Sequence, residues 1–229
     1  TNYPFEEGIA FTVSTDEKVA FPFYLRIPSW TQKAEVRVNG KKVSAAPVAG
    51  KYLCINREWA NGDRVELTLP MSLSMRTWQV NKNSVSVDYG PLTLSLKIAE
   101  KYVEKDSRET AIGDSKWQKG ADPQKWPTTE IYPDSPWNYS LVLDKKEPLK
   151  NFKVIRKSWP ADNYPFTVAS VPLEVKAIGR PVPEWKIDET GLCGVLPEED
   201  AVKGDKEEIT LIPMGAARLR ISAFPNTKE

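Results

Sequence analysis

Apolar residues fall at every second position through most of the first hundred residues, and this period restricts the chain to strands. Ile9-Phe11-Val13, Phe21-Phe23-Leu25-Ile27, Ala34-Val36-Val38 and Val65-Leu67-Leu69 each alternate with polar neighbours. That is the pattern of a strand with one face buried, because successive side chains point to opposite sides of a pleated backbone. The 19 prolines reinforce the restriction. Average usage in a chain of this length would give about eleven, and each proline inside a helix removes a hydrogen bond and clashes with the preceding turn.

Turn signals sit where the alternation stops. Asn39-Gly40 follows Val38 directly, and both residues tolerate the positive φ of a tight hairpin, with Lys41-Lys42-Val43 as the return strand. Asn61-Gly62-Asp63 separates the strand over 52–57 from the one beginning at Val65, and Gly90-Pro91 divides residues 84–98 into two strands. Residues 100–124 are polar and show little periodicity, so a domain boundary or long loop is expected there, with a helical turn near 100–108. Strand patterns resume at 138–143, 152–157, 171–178, 207–212 and 217–222. The expected architecture is all-β: two antiparallel β-sandwich, jelly-roll-like domains, over residues 1–99 and 100–229.

Composition then removes whole classes of chemistry. The 229 residues contain no histidine, and their 32 Lys+Arg against 31 Asp+Glu leave a formal charge of +1. A Ser-His-Asp or Cys-His arrangement and a His-ligated zinc are therefore excluded from this chain. Cys54 and Cys193 stand too far apart for a C-x-x-C redox pair or a thiolate cluster, and whether they pair with each other is not readable. Balanced charge argues against a nucleic-acid partner, and no apolar run approaches the ~18 residues that a membrane helix needs. There is no phosphate-binding or dinucleotide fingerprint, and the acidic runs at Asp16-Glu17 and Glu198-Glu199-Asp200 lack calcium-loop spacing. The N-terminus, Thr1-Asn2-Tyr3-Pro4-Phe5, carries neither an initiator Met nor a charged-then-apolar leader, as expected of a processed chain or of one excised from a longer protein.

Carboxylates and aromatics supply the remaining candidates. Glu130 and Asp134 lie among aromatic residues in EIYPDSPWNY, where an apolar wall would raise one carboxyl and ready it as the general acid of a glycosidase. The competing reading is a solvated loop with ordinary surface acids. Trp117, Trp126 and Trp137 crowd the same stretch, and flat rings on loops can stack on sugar faces while Asn138 and Glu130 hydrogen-bond hydroxyls. Against this stands the plainer role of filling a core, favoured for Trp137 and Tyr139 at a strand start. Asn138-Tyr139-Ser140 also matches the short glycosylation pattern, though inside a strand.

Several longer phrases resemble a known family. TNYPFEEGIAFTV at 1–13, FYLRIPSW at 23–30, VRVNGK at 36–41, INREWANGDRVELTLPM at 55–71 and VSVDYGPLTLSL at 85–96 are similar to the region after the catalytic barrel in glycoside hydrolase family 127, the β-L-arabinofuranosidase group. SPWNYSLVL at 135–143, RPVPEWKID at 180–188 and ITLIPMGAARLRISAFP at 209–225 resemble the far C-terminus of the same proteins, in the same order. The resemblance implies an (α/α)6 barrel elsewhere in the parent protein, bearing a catalytic glutamate and a zinc-holding cysteine cluster. None of those residues has a counterpart here, so no cofactor is expected in this chain and zinc only in the barrel. The implied role is a non-catalytic accessory portion that packs against the barrel. The implied parent degrades arabinose-containing plant glycans and is secreted or periplasmic. Three alternatives stay open: a carbohydrate-binding module using the loop tryptophans, a self-sufficient glycosidase using Glu130 and Asp134, and an adhesion sandwich unrelated to sugars.

Overall fold

A computed structural model describes residues 1–105, 122, 124–198 and 204–229. The described chain is all-β apart from one 3-10 turn at Met214–Ala216, and its strand pairs are antiparallel with a single parallel exception. It divides into two compact units, Thr1–Arg76 with Val87–Thr93, and Thr77–Ser86 with Leu94–Glu229.

The first unit contains β1 (Gly8–Thr12), β2 (Val19–Arg26), β3 (Glu35–Val38), β4 (Lys41–Lys42), β5 (Tyr52–Trp59) and β6 (Arg64–Thr68). One sheet has the order β1-β6-β3-β4, and β2 pairs with β5 in a second. The alternating apolar residues of both sheets meet in one core: Leu25 and Ile27 from the end of β2, Leu53 and Trp59 from β5, Val36 from β3, Val65 and Leu67 from β6. Trp59 is fully enclosed, with Phe21 stacked on it at 5.7 Å and Phe23 edge-on at 5.9 Å. Its indole N–H donates to the Phe21 carbonyl at 3.0 Å, so the ring's one polar group is satisfied.

The two turns expected from sequence form and are tied to each other. Asn39 (φ 51°) and Gly40 (φ 76°) make the β3–β4 hairpin, and Gly62 (φ 84°) turns the chain from β5 into β6. The Asn39 amide donates to the Asp63 carboxylate at 2.7 Å while its oxygen accepts from the Arg64 backbone N–H at 2.8 Å. Asp63 also accepts from the Ala60 N–H at 2.9 Å and faces Arg57 at 3.4 Å. The Ala60 N–H and then the Asn39 amide hold its carboxyl below the usual aspartate range. Gly90-Pro91 likewise forms the two-residue turn between β8 (Ser84–Tyr89) and β9 (Leu92–Leu96), with Tyr89 opposite Leu92.

The second unit is built on β14 (Leu173–Pro181). The edge of β14 opposite β15 (Glu207–Pro213) is shared by β12 (Tyr139–Leu143) and β13 (Lys153–Arg156). β16 (Asn226–Lys228) lies parallel to β12, and Leu94–Leu96 of β9 pairs with β15. Leu173, Val175 and Ala177 are buried on one face, whereas Glu174 and Lys176 lie on the other. There Glu174 receives Lys97 at 2.7 Å and Lys157 at 2.9 Å. Burial pushes the Glu174 carboxyl up, but the two ammonium groups outweigh it and hold the group below its ordinary value.

Two sequence expectations are corrected. The helical turn expected near 100–108 is strand β10 (Glu100–Lys105), hydrogen-bonded to β11 (Thr128–Pro133) with Tyr102 opposite Ile131. A partner strand distant in sequence overrides the weak local preference of a polar segment. The strand expected at 217–222 forms no ladder: the Ile221 N–H donates to the Ser95 hydroxyl at 3.0 Å instead of a backbone carbonyl.

Candidate functional site

The second unit carries an apolar groove of ≈ 310 Å³. The lining includes Ile98, Ile131, Pro133, Leu219 and Ile221 together with Trp137, Ile187 and Leu192. Hydrogen bonds brace the segments that carry Trp137 and Ile187. The Trp137 ring meets Trp185 edge-on at 5.2 Å. The Trp185 indole donates to the Gly194 carbonyl at 3.0 Å. The Asn138 amide donates twice, to the carbonyls of Val182 at 3.0 Å and Trp185 at 3.1 Å.

The loop carrying Leu192 is a closed structure in its own right. Ile187 and Cys193 form an isolated bridge across it, and Gly191 turns it at φ 82°. Asp188 accepts from the Thr190 hydroxyl at 2.6 Å, the Thr190 N–H at 2.9 Å and the Leu192 N–H at 3.1 Å. Those bonds, the Thr190 hydroxyl first and the Leu192 N–H next, hold the Asp188 carboxyl below its ordinary value. A loop whose polar groups are satisfied internally leaves its apolar side chain to face outward, and Leu192 is 67% exposed.

Two cations stand at the groove. Arg218 and Arg220 are exposed on either side of half-buried Leu219. The Arg220 Nε donates to the Ala217 carbonyl at 2.8 Å, and at Arg218 it is the backbone N–H that donates to Glu100 at 3.0 Å. The other oxygen of Glu100 accepts from the Tyr102 hydroxyl at 2.6 Å.

The structure disperses the site residues expected from sequence. Trp137 lines the groove, and Asn138 braces it from behind with both amide hydrogens engaged. Glu130 lies half-buried on β11, accepting a hydrogen bond from the Tyr132 hydroxyl and facing Lys105 at 3.9 Å, and neither it nor Asp134 belongs to the lining. Trp126 is 65% exposed and also outside the lining, and Trp117 falls outside the described residues. The sequence reading passed over Arg218, Arg220 and the loop at 187–193. The signals for them were an Arg-Leu-Arg triplet amid apolar residues and an Asp-x-x-Gly turn.

A metal does not fit here: among the described residues no three His, Cys, Asp or Glu side chains gather, and Cys54 and Cys193 are both free and exposed.

Comparison with known proteins gives the following. Residues 1–71 match the family model for the GH127 middle domain of β-L-arabinofuranosidases. Curated proteins give no match. Among solved structures, a glycoside hydrolase is similar at 22% identity and TM-score 0.57, over 99% of this chain and 31% of that one. A GH127 β-L-arabinofuranosidase from Geobacillus stearothermophilus T6 is similar at 22% identity and TM-score 0.57, over 99% and 30%. Another GH127 β-arabinofuranosidase shows 20% identity and TM-score 0.57, over 99% and 31%. The chain therefore spans about a third of the length of the solved chains it matches. The resemblance seen in the sequence is borne out, by the family model over the first unit's sandwich and by shared fold over nearly the whole chain.

Proposed function

We propose that this chain is the non-catalytic accessory portion of a glycoside hydrolase acting on arabinose-containing glycans, and that it packs against and supports a helical catalytic barrel. The observation that carries this reading is the extent of the fold likeness: 99% of the chain corresponds to only about a third of each solved enzyme. A β fold that recurs as one segment of longer hydrolases is expected to work as a segment here. The chain's own chemistry is consistent with that role. Its apolar groove is lined mainly by aliphatic and aromatic side chains, and the Glu130 carboxylate is held by Tyr132 and Lys105 outside that lining. The coding sequence upstream of Thr1 tests the reading. It is expected to encode a helical barrel with a glutamate and a cysteine cluster, and its absence would refute the proposal.

The exposure of Trp126 favours a second reading, a carbohydrate-binding module. Calorimetric titration with arabino-oligosaccharides separates the two. The accessory role predicts no heat, whereas binding abolished by Trp126→Ala would support the module.

A further inference from the structure

The groove beside Arg218 and Arg220 has a composition that selects its occupant. Its walls are almost entirely aliphatic or aromatic, and of its few polar groups the Tyr132 hydroxyl is already spent on Glu130. A sugar brings a hydroxyl on nearly every carbon, and any that is buried against isoleucine and leucine is left unpaired. An aliphatic side chain meets no such penalty. Among the described residues, moreover, neither guanidinium has a carboxylate partner within salt-bridge distance; Arg220 bonds only a backbone carbonyl. Glu100 is the one acid lining the neighbouring depression, and both of its oxygens are engaged. Guanidinium groups are weakly hydrated and present a planar fork matched to a carboxylate, so two of them beside an apolar trough favour a partner that is acidic and apolar together.

One side of the groove is also held in place. Asp188, Trp185 and Asn138 make six hydrogen bonds in and beside the 187–193 loop, so Leu192 and Ile187, 67% and 44% exposed, stay at the surface instead of folding inward. Pre-organised apolar surface of this kind marks a protein contact. The chain outside this structure supplies the partner: the solved enzymes that share the fold are about three times as long.

We propose that the groove is the docking site for a polypeptide segment of the parent's remaining chain, one that places an aliphatic side chain against Trp137 and Leu192 and an Asp or Glu on Arg218 and Arg220. This rests on the reading of the chain as part of a longer hydrolase.

Cys193 lines the groove and its thiol is exposed, so it reports occupancy directly. Alkylation by N-ethylmaleimide is measured by mass spectrometry of the Cys193 peptide, in this chain alone and in the full-length parent. Docking predicts alkylation slowed about tenfold or more in the parent, since only the open fraction reacts. The charge-reversed parent, Arg218→Glu with Arg220→Glu, should react at close to the rate of the chain alone. Equal rates in the wild-type parent and the chain alone overturn the proposal, and so does protection that survives the charge reversal. Slowing in the chain alone would also overturn it: by raised chain concentration it would indicate a second copy as occupant, by added oligogalacturonate a glycan. A gene with no further domain refutes the underlying reading of function. A complete parent with an open Cys193 refutes only the docking assignment.

Discussion

Trp59 draws together what the sandwich of the first unit needs from a single residue: bulk, two aromatic partners and a satisfied donor. Truncating a fully buried aromatic costs both its transfer free energy and the cavity left behind. Trp59→Ala should therefore lower stability by about 3–5 kcal/mol, read as a fall in the urea midpoint of the transition that reports the first unit. Gly90 is constrained by both backbone and space. Its φ is +55°, and an added Cβ would lie 2.6 Å from the Met71 Cγ. The Met71 Cβ also lies within 3.1 Å and Met71 is buried, so the clash adds to the left-handed backbone penalty, and Gly90→Ala should cost more than about 1–2 kcal/mol in the same measurement. The residue-level signals that were legible in the sequence were of this backbone kind. Asn39-Gly40, Gly62 and Gly90-Pro91 announce positive φ without reference to any partner, and all form turns. The bond from Asn39 to Asp63 was not legible, because it joins two turns that meet only after the strands pair.

At the scale of elements, the loop Ile187–Cys193 makes the sharpest prediction. Asp188 is held below its ordinary value by the bonds it accepts, so its contribution to the folded loop is complete above the usual aspartate range near pH 3.9 and fades as pH falls through the lower native value. Amide exchange at Thr190 and Leu192, corrected for intrinsic rate, should be unchanged between pH 7 and 5 and rise as pH falls below the usual aspartate range. Asp188→Ala should raise it about tenfold at all these pH values. Protection independent of pH and of Asp188 would mean that the bridge between Ile187 and Cys193 holds the loop unaided. Strands were legible where one face is buried, as in β3 and β6, because burial writes itself as alternation. They were obscure where pairing alone makes the strand. Lys101-Tyr102-Val103 has no clear alternation and becomes a strand only opposite Glu130-Ile131-Tyr132. Conversely, Ala217–Ser222 reads as a strand, yet Ile221 bonds a serine hydroxyl and no ladder forms. The groove stayed hidden for the same reason. Its lining comes from five separate segments, and only Trp137 stood out beforehand.

For the molecule as a whole, the proposed role is support within a longer enzyme, about three times the length of this chain in the solved structures that share its fold. The absence of histidine excludes imidazole chemistry from this chain, and the near-balance of charge leaves little for long-range steering of a charged partner. What the described residues offer is pre-formed β structure and an apolar, cationic groove. Hydrolysis of 4-nitrophenyl β-L-arabinofuranoside, followed with this chain alone and with the complete protein encoded by its gene, distinguishes an accessory segment from an enzyme. An accessory segment releases no nitrophenol above buffer, whereas the complete protein turns the substrate over. Turnover by the chain alone, abolished by Glu130→Gln, would contradict the accessory role.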